Sequence, residues 1–335
     1  GVLPVRIGLA GTRFAGLDGV TLESKKVAQV LESLGHSVAW FGGRLDDEFA
    51  PGLEVPEAYF DTAANLEING QIFGRESCSA AVLGEIEQSS RRLQDDLARF
   101  VGEHEVDVLM PQNASAIPLQ VPLGVAIARY SRQTGMPAVA QHHDFGWERK
   151  RFGPNAVDDL LEEAFPPRAP SCGHLVINSL AKVELSRRRG VEAHLLPNIM
   201  DFDTSPDEGE PARFLAAAGL APSDIVLLQP TRMVPRKGIE DTLELARRLR
   251  NPAVKVVVTH PEPDEGNQYV EELAATADGL DVDFRVVPVG PGTGIDLGDA
   301  YAAANLVTYP SRLEGFGNAL LEAFYYRRPL LVNRY

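Results

Sequence analysis

Cysteine is almost missing from this chain. Only Cys78 and Cys172 occur in 335 residues, with no CxxC pair and no Cys/His cluster at metal-ligand spacing. That excludes a disulfide framework and a structural zinc site, and a reducing cytosol is the expected location. Long apolar runs are missing too. None approaches the ~18 residues that cross a bilayer, and the first residues lack the charged-then-apolar order of a signal segment. A soluble protein with no integral membrane segment is expected. Basic residues are in deficit, 32 Lys plus Arg against 47 Asp plus Glu for a net charge of −15. Such a balance repels nucleic-acid backbones and anionic bilayers at long range, so no nucleic-acid partner is expected. It does not exclude a small anion held by aimed N–H groups and two cations, because those contacts act within a Debye length of about 8–10 Å. Internal repeats and low-complexity tracts are also lacking, so neither a solenoid nor disorder is indicated.

What is present is an alternation. A chain of 335 residues is too long for one compact core and suits two domains. Short apolar strands are expected at Val5–Ala10, Val38–Phe41, Val106–Met110, Ala138–Gln141 and Leu175–Asn178. Helices are expected between them, at Thr21–Leu34 before Gly35, at Glu85–Val101 and at Leu119–Thr134. After Pro197 the pattern lapses into a polar, Pro-containing stretch, then resumes with strands at Ile225–Leu228, Val254–Val258, Phe284–Val287, Leu306–Tyr309 and Leu330–Val332. Helices at Glu240–Arg250, Tyr269–Ala277 and Asn318–Tyr326 fall among them. Strands alternating with helices give an α/β fold of two doubly wound, Rossmann-like parallel sheets. The expected division is a first domain at 1–200, a linker at 201–222 and a second domain at 223–335.

Two segments of the second domain carry chemistry. In Glu314-Gly315-Phe316-Gly317-Asn318-Ala319-Leu320-Leu321-Glu322 two glycines open a turn and an apolar-periodic helix follows. Backbone N–H groups there point at whatever occupies the turn, which makes a phosphate seat. Glu322 lies about five residues into the helix, roughly 7–8 Å along its axis, within reach of a ribose attached to that phosphate. In Gln229-Pro230-Thr231-Arg232-Met233-Val234-Pro235-Arg236-Lys237-Gly238, two cations five residues apart follow a strand and precede a helix. Idle cations at a helix amino end oppose its dipole, so a clamp on one diphosphate is the better reading of Arg232 and Lys237. Arg236 is expected to face solvent.

The first of these segments resembles the E-x7-E signature of retaining nucleotide-sugar glycosyltransferases, specifically glycosyltransferase family 4 of the GT-B fold (glycosyl transferases group 1). The second resembles that family's Arg and Lys pair. The resemblance implies two Rossmann-like domains facing across a cleft, with the first domain on the acceptor side and the second binding the nucleotide sugar. The family normally continues beyond a strand such as Leu330–Val332, so the second domain is expected to be incomplete at Tyr335. Gln141-His142-His143-Asp144-Phe145 closes a strand of the first domain, where the family has a histidine that contacts the donor sugar. His143, followed by Asp144, matches that position better than His142, and one of the two serves to orient the other. Gly11-Thr12-Arg13-Phe14-Ala15-Gly16-Leu17-Asp18-Gly19 resembles the family's first glycine-rich loop, which places Gly16, Gly19 and Arg13 near substrate. Arg13, with Arg149, Lys150 and Arg151, suits an acidic acceptor, although basic residues of this kind more often form a solvated face. Pro197-Asn198-Ile199-Met200-Asp201 resembles the family's crossover, and a simple turn reads equally well. Asn178-Ser179 reads as a helix cap with the serine as capping residue, and Gly290–Gly294 as a loop on which the base stacks.

The expected activity is retaining hexosyl transfer from a nucleoside-diphosphate sugar, a UDP- or GDP-sugar, to a small soluble polar acceptor, with a glycerate-type compatible-solute precursor among the candidates. His143, Arg232, Lys237 and Glu314 form the expected catalytic set. Gly16, Gly19, Arg13, Asp144, Gly315, Phe316, Gly317, Asn318 and Glu322 bind substrate. The sugar nucleotide is a co-substrate, and no cofactor or metal is expected because two cations substitute for one. A homo-oligomer is compatible with the sequence. A nucleotide-sugar 2-epimerase or an inactive sugar-nucleotide-binding protein are the alternatives. The glycine loop has neither the GxGxxG spacing of a dinucleotide site nor a Walker lysine, and no nucleophile elbow accompanies the histidines. Dehydrogenase, kinase and hydrolase chemistry are disfavoured.

Overall fold

A computed structural model describes residues 3–16, 18–206, 209–260, 268–290 and 292–334. Leu17 of the first glycine loop, Asp207 and Glu208 of the expected linker, Pro291 and Tyr335 lie outside the described residues. The chain divides into two compact units, Gly1–Ile199 and Met200–Tyr335.

The first unit runs β1 (Arg6–Gly11), α1 (Gly19–Ser33), β2 (Ser37–Gly42), β3 (Gly52–Glu54), α2 (Ala63–Ile72), α3 (Ala80–Glu103), β4 (Val108–Pro111), α4 (Val121–Thr134), β5 (Ala138–His142), α5 (Asp158–Ala164), β6 (Cys172–Val176), α6 (Ser179–Arg189) and β7 (His194–Leu195). Its sheet is parallel, in the order β3-β2-β1-β4-β5-β6-β7. β1 and β2 each bury five consecutive residues, as strands covered on both faces must. α3 buries Val82, Ile86, Leu93, Leu97 and Phe100 along one helical stripe, and this stripe packs on Ala10, Phe41, Leu109 and Leu123 through its C-terminal half. Asp18 starts α1 by accepting hydrogen bonds from Val20 N and Thr21 N, and Gly35, at φ +89°, follows its end.

The second unit runs α7 (Pro211–Ala218), β8 (Ile225–Arg232), α8 (Ile239–Leu249), β9 (Val254–His260), α9 (Gln268–Gly279), β10 (Asp283–Val286), α10 (Leu297–Ala303), β11 (Leu306–Tyr309), α11 (Asn318–Tyr325) and β12 (Leu330–Val332). This sheet too is parallel, in the order β10-β9-β8-β11-β12. In each sheet the strand order reverses once, between β1 and β4 and between β8 and β11. Loops at the carboxyl ends of those strands border the crevice where open α/β sheets bind ligands.

Several features of the fold differ from the expected ones. The stretch 201–222 is not a plain linker, because α7 lies within it and Phe214 is fully buried against Val226, Ala300 and Tyr301. Its short Ala-rich helix stands between Pro211 and Gly219 in a polar surrounding, which hides the one anchoring aromatic. Asn178, rather than Ser179, caps α6, since its side chain accepts from Ala181 N at 2.7 Å while its backbone is extended. β6 accordingly ends at Val176, not Asn178. β8 runs on to Arg232, past the expected end at Leu228, with a register shift between Gln229 and Arg232.

Candidate functional site

In the second unit the expected residues gather on two loops that leave β8 and β11 side by side. Gly238, at φ +64°, permits the approach: a Cβ there would stand 2.5 Å from Pro310 O. Arg312 N donates to Arg236 O at 2.9 Å, and Arg236 Nη1 donates to Leu313 O at 3.1 Å, which fastens one loop to the other. Lys237 and Glu314 meet within this frame. Lys237 Nζ lies 2.5 Å from Glu314 Oε1 and 3.3 Å from the Tyr309 hydroxyl, with its ammonium 5.1 Å from the Tyr309 ring centre. Arg236 Nη1 lies 3.1 Å from the other Glu314 oxygen. Arg236 is therefore not merely solvent-facing, as its sequence position implied. The turn at Pro235–Lys237 directs it back onto residues 313 and 314.

The electrostatics follow from burial. Desolvation pushes the Lys237 ammonium below its ordinary pKa, and Glu314 opposes that shift. Burial by itself would raise the Glu314 carboxyl, but Lys237 and Arg236 outweigh it and hold the carboxyl below its ordinary value. Arg232 sits exposed at the end of β8, paired in register with His260 of β9. The His260 imidazole is lowered by burial and then by the charges of Arg232 and Lys237, which marks one positive region at this sheet edge. Gly317, at φ +97°, precedes α11 and offers no side-chain cap, so Gly315 to Asn318 form the helix entry. One turn on, Glu322 accepts a 2.8 Å hydrogen bond from Tyr301, whose fully buried ring stacks on Tyr326 at 4.7 Å. The Gly290 loop is closed by Gly290 N to Ile295 O at 2.8 Å.

In the first unit the residues gather at the ends of β1, β4 and β5. The His142 side chain is buried, with Nε2 2.9 Å from His174 Nδ1, so it belongs to the core. His143 is half-buried, and its Nε2 lies 3.3 Å from Gln112 Oε1. Burial pushes its imidazole down to about 4, against the upward pull of Asp144 and Asp18. Asn113, at φ +60°, accepts from His143 N at 3.0 Å and Asp144 N at 3.3 Å and donates to Asp144 Oδ1 at 2.6 Å. Of the expected basic residues, Arg13 pairs with Asp18 at 3.2 Å and lies over the Phe60 ring, and Arg149 bonds Asp144 at 2.8 Å through Nε. Gly16 N donates to Asp46, and Gly19 is the first residue of α1. Ile199 is tied to α1 through Glu23 Oε1 at 2.8 Å and Lys26 Nζ at 2.7 Å, so the Pro197–Ile199 turn is anchored at the end of the first unit.

Sequence reasoning missed Gln112, Asn113, Tyr301 and Tyr309. Gln112 and Asn113 follow the strand expected at Val106–Met110, so the rule that ligands bind at strand ends would have found them. Among the described residues no group of three or more His, Cys, Asp or Glu is placed to hold a metal ion, and no helix is long and apolar enough to cross a membrane.

Known proteins match this sequence and fold. Residues 213–335 match the family described as glycosyl transferases group 1. The mannosylglucosylglycerate synthase of Thermotoga maritima is 31% identical over 99% of this chain and 81% of its own length. The enzyme of that name from Petrotoga mobilis is 28% identical over 99% and 83%. Among solved structures, sucrose-phosphate synthase from Thermosynechococcus elongatus superposes with a TM-score of 0.67 at 16% identity, covering 98% of this chain and 81% of that one. Anabaena HepE in complex with UDP and glucose gives 0.64 at 15%, covering 98% and 80%. The two structures show the GT-B fold alone. With a relative above 30% identity matched over 99% of this chain, and the family match over the loops that hold Lys237 and Glu314, this chain belongs to the group 1 glycosyl transferases and is a hexosyltransferase.

Proposed function

We propose that the reaction is retaining transfer of a hexosyl group from a nucleoside-diphosphate sugar to a small polar acceptor of the glycerate class. The observation that carries it is the fastening of Lys237, Arg236 and Glu314 beside the entry to α11, at the point where the second sheet reverses its strand order. A diphosphate placed there meets two cations, Lys237 and Arg232, and the backbone of Gly315 to Asn318. Lys237 has three N–H donors; Glu314 and Tyr309 receive two, and the third is available to a phosphate oxygen. Glu322, steadied by Tyr301, takes the ribose hydroxyls, and His143 a hydroxyl of the transferred sugar.

As the bond from the anomeric carbon to the phosphate oxygen breaks, charge grows on the diphosphate and is stabilised by these fixed cations. The acceptor oxygen bonds the same face of that carbon, and its proton passes to the departing phosphate. No metal is required in this scheme. The names of the two relatives matched over 99% of this chain support a glycerate-linked acceptor. A reducing cytosol suits the two free cysteines, and the net charge argues against a nucleic-acid partner.

The test is incubation of the full chain with GDP-mannose or UDP-glucose, with glucosylglycerate and related hydroxy acids as acceptors, in the presence and absence of EDTA. Mass spectrometry should show a new glycoside in both conditions and NMR an unchanged anomeric configuration. Conversion of donor without acceptor, or inversion at the anomeric carbon, would overturn the reading.

A further inference from the structure

Gln112 N donates to Ala10 O at 2.8 Å, which seats the residue beside β1 where the first sheet reverses its order. The side chain is buried. Its Oε1 position lies 3.1 Å from Ser24 Oγ and 3.3 Å from His143 Nε2, while its Nε2 position has no partner among the described residues. A half-turn about the last bond exchanges oxygen and nitrogen without changing the shape of the carboxamide, so a proton count decides which end is which. Ser24 has one hydroxyl proton, directed at Val20 O at 2.7 Å, and so offers Gln112 a lone pair. With nitrogen at the shared end, one N–H goes to Ser24 Oγ and the other to His143 Nε2, leaving one carbonyl oxygen unpaired. With oxygen at that end, two buried N–H groups are left unbonded. Orphaned buried donors are the rarer defect, so nitrogen occupies the shared end. His143 Nε2 is then an acceptor, and the ring proton sits on Nδ1.

We propose that Gln112 is a positioning residue that fixes His143 as its Nδ1–H tautomer, so that this imidazole donates a hydrogen bond to an oxygen of the transferred sugar. The sugar contact rests on the proposed function; the tautomer does not. The groups that act on the ring are Asp144, itself held by Arg149, Asp18, itself held by Arg13, and the neighbouring His142. Burial keeps the ring neutral through the assay range, so the tautomer alone decides which nitrogen donates.

The experiment is two-bond 15N correlation NMR of the histidine-labelled full chain at pH 7, with His143→Asn used to assign the signal. The expected result is Nδ1–H in the wild type and a mixture of tautomers in Gln112→Leu. Nε2–H in the wild type overturns the proposal, whether or not the variant folds. A second readout is the pH profile of kcat/KM in Gln112→Glu. The new carboxylate raises the His143 pKa; the imidazolium keeps its Nδ1–H, whereas the neutral ring turns its proton to the carboxylate and loses the donor. Activity of Gln112→Glu should therefore fall about tenfold as pH rises through that pKa, while the wild type stays level. A rise with pH overturns the donor role. Wild-type turnover in Gln112→Leu with a changed tautomer overturns the sugar contact, and with it the role of His143 in the proposed function, while the tautomer stands.

Discussion

Lys237→Ala removes one member of a pair in which both side chains are nearly sealed, 10% exposed for Lys237 and 7% for Glu314. At 2.5 Å and an effective dielectric near 20, the attraction is about 6–7 kcal/mol. Against it stands a desolvation cost of several kcal/mol for each ion, and truncating one side of such a pair typically destabilises by about 3–5 kcal/mol. Here Arg236 remains 3.1 Å from the other carboxylate oxygen, so the expected loss is about 2–3 kcal/mol. Turnover should fall further, by about 10²-fold or more, because the same ammonium meets charge that develops on the leaving group. Far-UV circular dichroism of the full chain in urea reads the stability. Both tryptophans, Trp40 and Trp147, lie in the first unit, so their fluorescence reports that unit's unfolding and gives a built-in control. Initial rates at saturating donor give kcat. The double variant Lys237→Met with Glu314→Leu removes both charges and should recover most of the stability but none of the turnover. A kcat for Lys237→Ala within about threefold of wild type, or recovered turnover in the double variant, would refute the clamp.

Gly238→Ala adds a Cβ against Pro310 O in a left-handed backbone and should destabilise the second unit by about 2 kcal/mol or more; an unchanged calorimetric transition would show that the two loops are not fastened. Glu314 has a lowered carboxyl pKa in the fold, so its contribution to stability is complete above its ordinary value of 4.5 and is lost as pH falls through the lower folded value. Glu314→Gln has no such proton to gain, and its stability should decline less steeply on acidification from about pH 5, followed by circular dichroism; parallel slopes would contradict the pairing. Tyr301→Phe deletes the hydroxyl that holds Glu322 and should cost about 1–2 kcal/mol. It should also weaken nucleoside-diphosphate binding several-fold by calorimetry, and unaltered binding would remove Glu322 from the ribose site.

The strands were legible wherever apolar residues run together. β11 has the expected bounds, Leu306–Tyr309, because a buried parallel strand needs apolar side chains on both faces; β12 also has the expected bounds, Leu330–Val332, although as the edge strand it leaves Leu331 and Val332 exposed. α2 was not legible, since it buries only Asn65, Ile68 and Ile72. Lys237 and Glu314 stood out because each belongs to a contiguous glycine-marked pattern beside a helix start. Their mutual contact did not, for no local spacing relates residues 77 positions apart; the order β8 beside β11 supplies it. The same holds for Ser24 on α1, Gln112 just beyond β4 and His143 just beyond β5, which meet only because β1, β4 and β5 are neighbours. Arg236 was misjudged because its direction is set by the backbone of residues 312 and 313, which the sequence around position 236 does not reveal.

α7 has a practical consequence. Its Phe214 works as a plug, and Asp299 latches the plug in place through Glu210 N at 2.6 Å and Arg213 at 3.2 Å. A shortened chain begun at Ser223 would discard the plug and leave an open, greasy socket around Ala300 and Tyr301, inviting aggregation during purification. One begun at Met200 would carry its own stopper.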